Sequence, residues 1–116
     1  MSLESFVALK KHWYHILLAL AEGPAHGAEI RRRVGKHTRG SLELYPAMLY
    51  GSVEDLLEKD LVREVDEKSG RPAGESDRYR YLDLTPAGRE TLAAETEEYQ
   101  EVVRIARDLL TKEVSP

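Results

Sequence analysis

Thr85-Pro86 opens the segment that most restricts the architectures available to this chain. A threonine hydroxyl is a good helix N-cap, and proline fits the first helical position, where no backbone N–H is needed. From there Leu92, Thr96, Tyr99, Val103, Ala106 and Leu110 step alternately by four and three, a repeat nearer 3.5 than 3.6 residues per turn. The spacing predicts a final helix of about 25 residues. In a chain of 116 residues the rest cannot cover a rod of that length. Its apolar stripe needs a partner, most simply a second copy, with Leu92, Tyr99, Val103, Ala106 and Leu110 in the interface.

The segment that such a rod would carry is Tyr45 to Val62. Leu49, Val53, Leu56 and Leu57 recur at helical spacing and mark a buried face. At about 100° per residue, Ala47, Gly51, Glu54 and Glu58 fall opposite, with Met48 and Tyr50 on the flanks. The outward face is small and neutral in its N-terminal half and acidic beyond. A helix entering a DNA groove by its N-terminal tip needs small or neutral side chains there, at the positive end of its dipole, and tolerates acid at the far end. An ordinary amphipathic core helix has the same pattern, so the flanking segments decide.

Upstream, Phe6, Leu9, Trp13, Ile16, Leu17 and Leu20 predict a first amphipathic helix over roughly residues 4 to 21, ended by Gly23-Pro24. Trp13 suits either a core position or a ring that stacks on an aromatic ligand. His26 to about Lys36 reads as a second helix with Ile30 and Val34 buried and Arg32 and Lys36 turned outward. Arginines one short loop before the Tyr45 helix stand where the first helix of a helix-turn-helix crosses a phosphate backbone. The connector, Gly35 to Leu44, has turn composition and adds Arg39 as a phosphate contact. Downstream, Leu61 to Asp66 and Arg78 to Leu84 are strand-like and are joined by a loop rich in Gly, Ser and Pro. The loop carries Lys68 and Arg71, and Arg78 and Arg80 alternate with Tyr79 and Tyr81. The sum is mainly α with a small β-hairpin: a winged helix-turn-helix over 1–84 and a dimerisation helix over 85–116.

The net charge of −4 is at odds with a nucleic-acid binder until it is divided along the chain. Residues 1–41 hold seven Lys or Arg against three acids, a local excess of +4. At physiological salt the field at a contact face is set locally. The absence of cysteine excludes a disulfide framework and a thiolate zinc site and suits a reducing interior, so a cytoplasmic location is expected. The longest apolar run, Ile16 to Ala21, is too short to span a bilayer, and neither a signal peptide nor a membrane partner is expected. Gly-rich phosphate loops, a His-Glu-x-x-His motif and a paired nucleophile and base are all missing, so no enzymatic activity, cofactor or metal is expected.

Three stretches in order, Ile16 to Ile30 with its Glu-Gly-Pro-Ala-His-Gly core, Leu49 to Val62, and Arg78 to Arg89 with Leu-Thr-Pro-Ala-Gly, resemble the signature segments of PadR-type transcriptional regulators. The resemblance covers nearly the whole chain, in the subgroup with a single long helix after the wing. It implies a homodimeric regulator, usually a repressor, released from its operator by a small, often aromatic, effector. Ala28 replaces a tyrosine often found after His-Gly, and Asp60 replaces the usual glycine before Leu61-Val62.

On this reading the DNA contacts are Arg32, Lys36, Arg39, Tyr45, Met48, Tyr50, Ser52, Lys68, Arg71 and Arg78, and the partner is a pseudo-palindromic duplex. The outward tip offers none of the Arg, Lys, Asn or Gln side chains that pair bidentately with guanine or adenine. Specificity is therefore expected to come largely from half-site spacing and DNA deformability. By analogy, an effector is expected near Phe6, Trp13 and Tyr99. The competing reading is a winged-helix protein-interaction module without DNA binding, favoured by Glu54, Asp55 and Glu58.

Overall fold

The computed structural model describes residues 9–65 and 80–114, with side chains to Lys112. The elements run α1 (Lys11–Leu20), α2 (Gly27–His37), α3 (Pro46–Glu58), β1 (Val62–Val65), β2 (Tyr81–Leu84) and α4 (Pro86–Val114). Helices and hairpin follow the expected order, with α1 shorter than expected and α4, at 29 residues, longer. Lys10 has extended dihedrals (φ −67°, ψ 154°), so α1 begins at Lys11 rather than near residue 4. Phe6 lies outside the described residues, as do Lys68, Arg71 and Arg78.

The core is one cluster that every element enters. Trp13, Ile16, Leu17 and Leu20 of α1 meet Ile30 and Val34 of α2, Leu49, Val53 and Leu56 of α3, and Leu82 and Leu84 of β2. Antiparallel pairing sets Val62 opposite Leu84 and Val65 opposite Tyr81. Ala25 pairs on the other side of β2, exchanging both backbone hydrogen bonds with Leu82 at 3.0 and 2.9 Å. This pairing satisfies the outer edge of β2 there and ties the wing to the chain just before α2.

Arginines that read as a solvated run do structural work. Arg33 donates to the carbonyls of Ala19 (3.1 Å) and Gly23 (2.8 Å), satisfying the C-terminal end of α1. Arg31 donates through Nε to the Leu44 carbonyl at 2.8 Å and pins the connector leading into α3.

The end of α3 is a Schellman turn. The Leu61 amide reaches the Leu56 carbonyl, the Asp60 amide reaches Leu57, both at 3.0 Å, and Asp60 takes a left-handed φ of 59°. Aspartate here adopts the conformation that glycine would supply. The start of α4 locks onto this turn: Thr85 Oγ1 donates to the Asp60 carbonyl (2.6 Å) and accepts from the Gly88 amide (2.9 Å) as the N-cap. A Cβ on Gly88 would lie 1.9 Å from the Leu61 carbonyl oxygen, so no side chain fits there.

α4 runs 29 residues, about 44 Å at 1.5 Å per residue. Leu92, expected in a dimer interface, is instead buried in the chain's own core at 7% exposure, because the first turns of α4 lie inside the domain. Tyr14 of α1 braces the next turn, its ring edge-on to Tyr99 at 4.9 Å and its hydroxyl 2.7 Å from Thr96 Oγ1. Thr96 spends its proton on the Leu92 carbonyl, so Tyr14 is the donor. From Thr96 to Lys112 every side chain is exposed.

Candidate nucleic-acid interface

The exposed end of α3 is built by what precedes it. Pro46 occupies the first helical turn, and no side chain caps the helix, so its leading amides face outward with the positive end of the dipole. Tyr45 and Tyr50 are 60% and 59% exposed, Met48 is 40% exposed, and Pro46 and Ala47 lie open beside them. The tip is therefore uncharged and accessible. Ser52, grouped in the sequence reading with the outward hydroxyls, is 4% exposed. It lies three residues after Leu49 and four before Leu56, so it shares their buried face and has no access to DNA.

The cations predicted to grip phosphate are engaged unequally. Lys36 and Arg39 are exposed at the C-terminal end of α2 and form no ion pair among the described residues. Arg39 sits in a left-handed conformation (φ 53°) that closes α2, with the Gly40 amide reaching the Gly35 carbonyl at 2.8 Å. Arg32 is already engaged. Its Nε and Nη2 hold both carboxylate oxygens of Glu29 at 2.9 and 2.7 Å, while its side chain stays 61% exposed. The Arg32 hydrogen bond, with a second from Arg33, holds the Glu29 carboxyl at about 2 against its ordinary 4.5. Of the second-helix cations predicted to grip phosphate, Lys36 and Arg39 carry the least compensated charge.

Arg80 is the residue that sequence reasoning left without a role. Its guanidinium leaves the wing strand and meets two carboxylates, Nη1 on Glu54 of α3 at 2.7 Å and Nη2 on Glu64 of β1 at 2.9 Å. No spacing rule joins residues 54 and 80; alternation along β2 alone marked Arg80 as part of a cationic face. Arg80, Tyr50 and Ala28 line a cleft of about 270 Å³ between the N-terminus of α2, α3 and β2. The Ala28 position therefore opens beside the tip instead of carrying a ring into it.

Trp13 is buried at 6% exposure beneath the ammonium groups of Lys10 and Lys59, 4.9 and 5.6 Å from the ring centre. That places it in packing and leaves no open face for a stacking ligand within one chain. Tyr99 packs on Tyr14, so the structure does not bring Trp13 and Tyr99 together around the cleft. Among the described residues, no three His, Cys, Asp or Glu side chains converge as metal ligands, and no helix is long and apolar enough to cross a membrane.

The sequence profile of the transcriptional regulator PadR-like family matches residues 16–94, from the middle of α1 to the third turn of α4. The chain belongs to the PadR-like family. Its relatives by structure include a transcriptional regulator from Clostridium thermocellum, with TM-score 0.66, 22% identity, and coverage of 83% of this chain and 89% of that one. A PadR-like transcription factor from Bacteroides fragilis aligns with TM-score 0.63 and 24% identity over 84% of this chain and 88% of that one. F93 from STIV, a winged-helix DNA-binding protein, gives 0.64 and 19% over 84% and 96%. These likenesses establish the fold, a winged helix with a long terminal helix. By sequence, an uncharacterized 37.1 kDa protein in transposon TN4556 of Streptomyces fradiae is 41% identical over 83 residues. That match covers 69% of this chain but only 20% of the Streptomyces protein, so the chain spans about a fifth of its relative's length. PadR-like proteins are transcriptional regulators.

Proposed function

We propose that this PadR-like protein binds double-stranded DNA as a homodimer and represses transcription from a pseudo-palindromic operator. Residues 1–84 form the DNA-binding unit, and residues 85–116 form the dimerisation helix. The observation that carries the reading is the exposed, uncharged α3 tip of Tyr45, Met48 and Tyr50, with Lys36 and Arg39 exposed at the C-terminal end of α2 and free of ion pairs among the described residues. In a major groove such a tip offers hydroxyls and apolar contacts to thymine methyls, while the cations, with Arg32 and wing residues Lys68, Arg71 and Arg78, neutralise phosphate.

The second copy is called for by α4, where Val102, Val103, Ile105, Leu109 and Leu110 are 44–62% exposed on one side of a rod that none of the described residues covers. Pairing of two rods covers that stripe and sets two α3 tips about one helical turn or more apart. A small aromatic effector acting between α1 and α4 of the dimer, near Phe6, Trp13 and Tyr99, is the accompanying proposal, as is a cytoplasmic location.

Selection of bound sequences from a random duplex pool by the purified protein tests the whole reading. A two-fold symmetric consensus is expected, and recovery of no enriched sequence contradicts it. Loss of tryptophan fluorescence response to every compound of a diverse aromatic panel contradicts the effector site alone.

A further inference from the structure

The α3 helix carries an exposed carboxylate on its outward face, one turn beyond the reading tip. Glu54 follows Tyr50 by one turn on the outward face, and its side chain is 60% exposed. Glu64 of β1 stands on the neighbouring strand, 56% exposed. Uncompensated, the pair would repel the phosphate rails on either side of a groove holding the α3 tip.

Arg80 answers both. Within the hairpin, Glu64 faces Leu82 and Val65 faces Tyr81, so Arg80 is the diagonal neighbour of Glu64 on the same sheet face, within reach of a long side chain. From there its second terminal nitrogen reaches across to α3. The three side chains are 42–60% exposed, and exposed ion pairs contribute little to stability.

We propose that Arg80 serves DNA recognition as a positioning residue that acts through its partners: by bridging Glu54 and Glu64 it offsets the acid beside the reading tip. Both of its terminal nitrogens are committed to carboxylates, so it acts through them and leaves the phosphates to Lys36, Arg39 and the wing. This inference rests on the DNA-binding reading above and assigns a task within it to a residue outside the contact set.

The test uses the full chain and a labelled mixed-sequence duplex of about 30 base pairs, long enough for two successive half-sites, followed by anisotropy at low salt. Arg80→Ala is expected to weaken binding by roughly five- to tenfold, the size of one uncompensated charge near a protein surface. Adding Glu54→Gln and Glu64→Gln to Arg80→Ala is expected to restore affinity to within about threefold of the parent, since the charge that needed cancelling is gone. In the parent background the same Gln pair is expected to bind as tightly as the parent or tighter, with the thermal midpoint little changed. Unaltered binding by Arg80→Ala overturns the proposal. So does failure of the triple variant to recover with a salt slope reduced by about one, which makes Arg80 a direct phosphate ligand. Weakened binding by the Gln pair alone also overturns it, by making the bridge purely structural. Should the parent itself not bind the duplex, the DNA reading falls and this inference with it.

Discussion

Two residues accept a backbone conformation that side chains ordinarily avoid, and their positions separate stability from function. Asp60 and Arg39 both close a helix at a left-handed φ, 59° and 53°, a choice that costs an L-residue roughly 1 kcal/mol or more relative to glycine. Asp60 belongs to no proposed contact, whereas Arg39 is among the proposed phosphate contacts. Replacing either with glycine is expected to raise the thermal midpoint by a few degrees; only Arg39→Gly is expected also to weaken duplex binding, by severalfold, and a loss of affinity in both would remove Arg39 from the phosphate grip. The departure at Asp60 was visible in the sequence, but its dihedral was not, because aspartate serves both in regular helix ends and in left-handed ones. Ser52 was legible and misread: its hydroxyl suggested an outward role, while its spacing from Leu49 and Leu56 had already placed it on the buried face. Arg80 could not be read at all, since its partners lie 26 and 16 residues away in the chain and only the fold joins them.

At the scale of elements, the junctions matter more than the helices they join. Gly88 lets the first turn of α4 press on the Leu61 carbonyl, and its Cβ would overlap backbone that has nowhere to move. Gly88→Ala is therefore expected to cost about 3 kcal/mol or more, read as a large fall in thermal midpoint, whereas Gly51→Ala, which meets nothing within 4 Å on exposed α3, should be neutral or slightly stabilising. In α2, the Glu29 carboxyl is held at about 2 mainly by its hydrogen bond from Arg32. A depressed folded-state pKa adds stability that is complete above the ordinary value of 4.5 and is lost as pH falls from there towards about 2. Thermal unfolding across that window should show the parent losing more of its midpoint than Glu29→Gln; equal losses would show that the Arg32 and Arg33 bonds do not persist in solution. Periodicity made the existence and order of all four helices readable, together with the hairpin. It failed at ends and handovers: α1 starts late because Lys10 is extended, and Leu92 continues the α4 stripe in sequence while its side chain still belongs to the core.

The whole molecule is a small winged helix from which a rod emerges, and its outer turns present apolar side chains to solvent. The rod's long apolar stripe was the clearest message of the sequence, and the second copy that would cover it is part of the proposal. Charge substitution on it, Val103→Glu with Leu110→Glu, is expected to give a folded monomer with weak DNA binding, and a persisting dimer would place the interface elsewhere. The operator and any effector were not readable, since an α3 tip without Arg, Lys, Asn or Gln spells no base code and the aromatics near α1 and α4 have their own packing partners. The central claim is that two copies of this chain, joined through α4, hold one duplex site with two α3 tips. Sedimentation of the protein with a labelled duplex chosen from the random pool tests it most directly: a complex containing two chains per duplex at saturation, dissolving as salt is raised, is the predicted result, and one chain per site or no complex at low salt contradicts it.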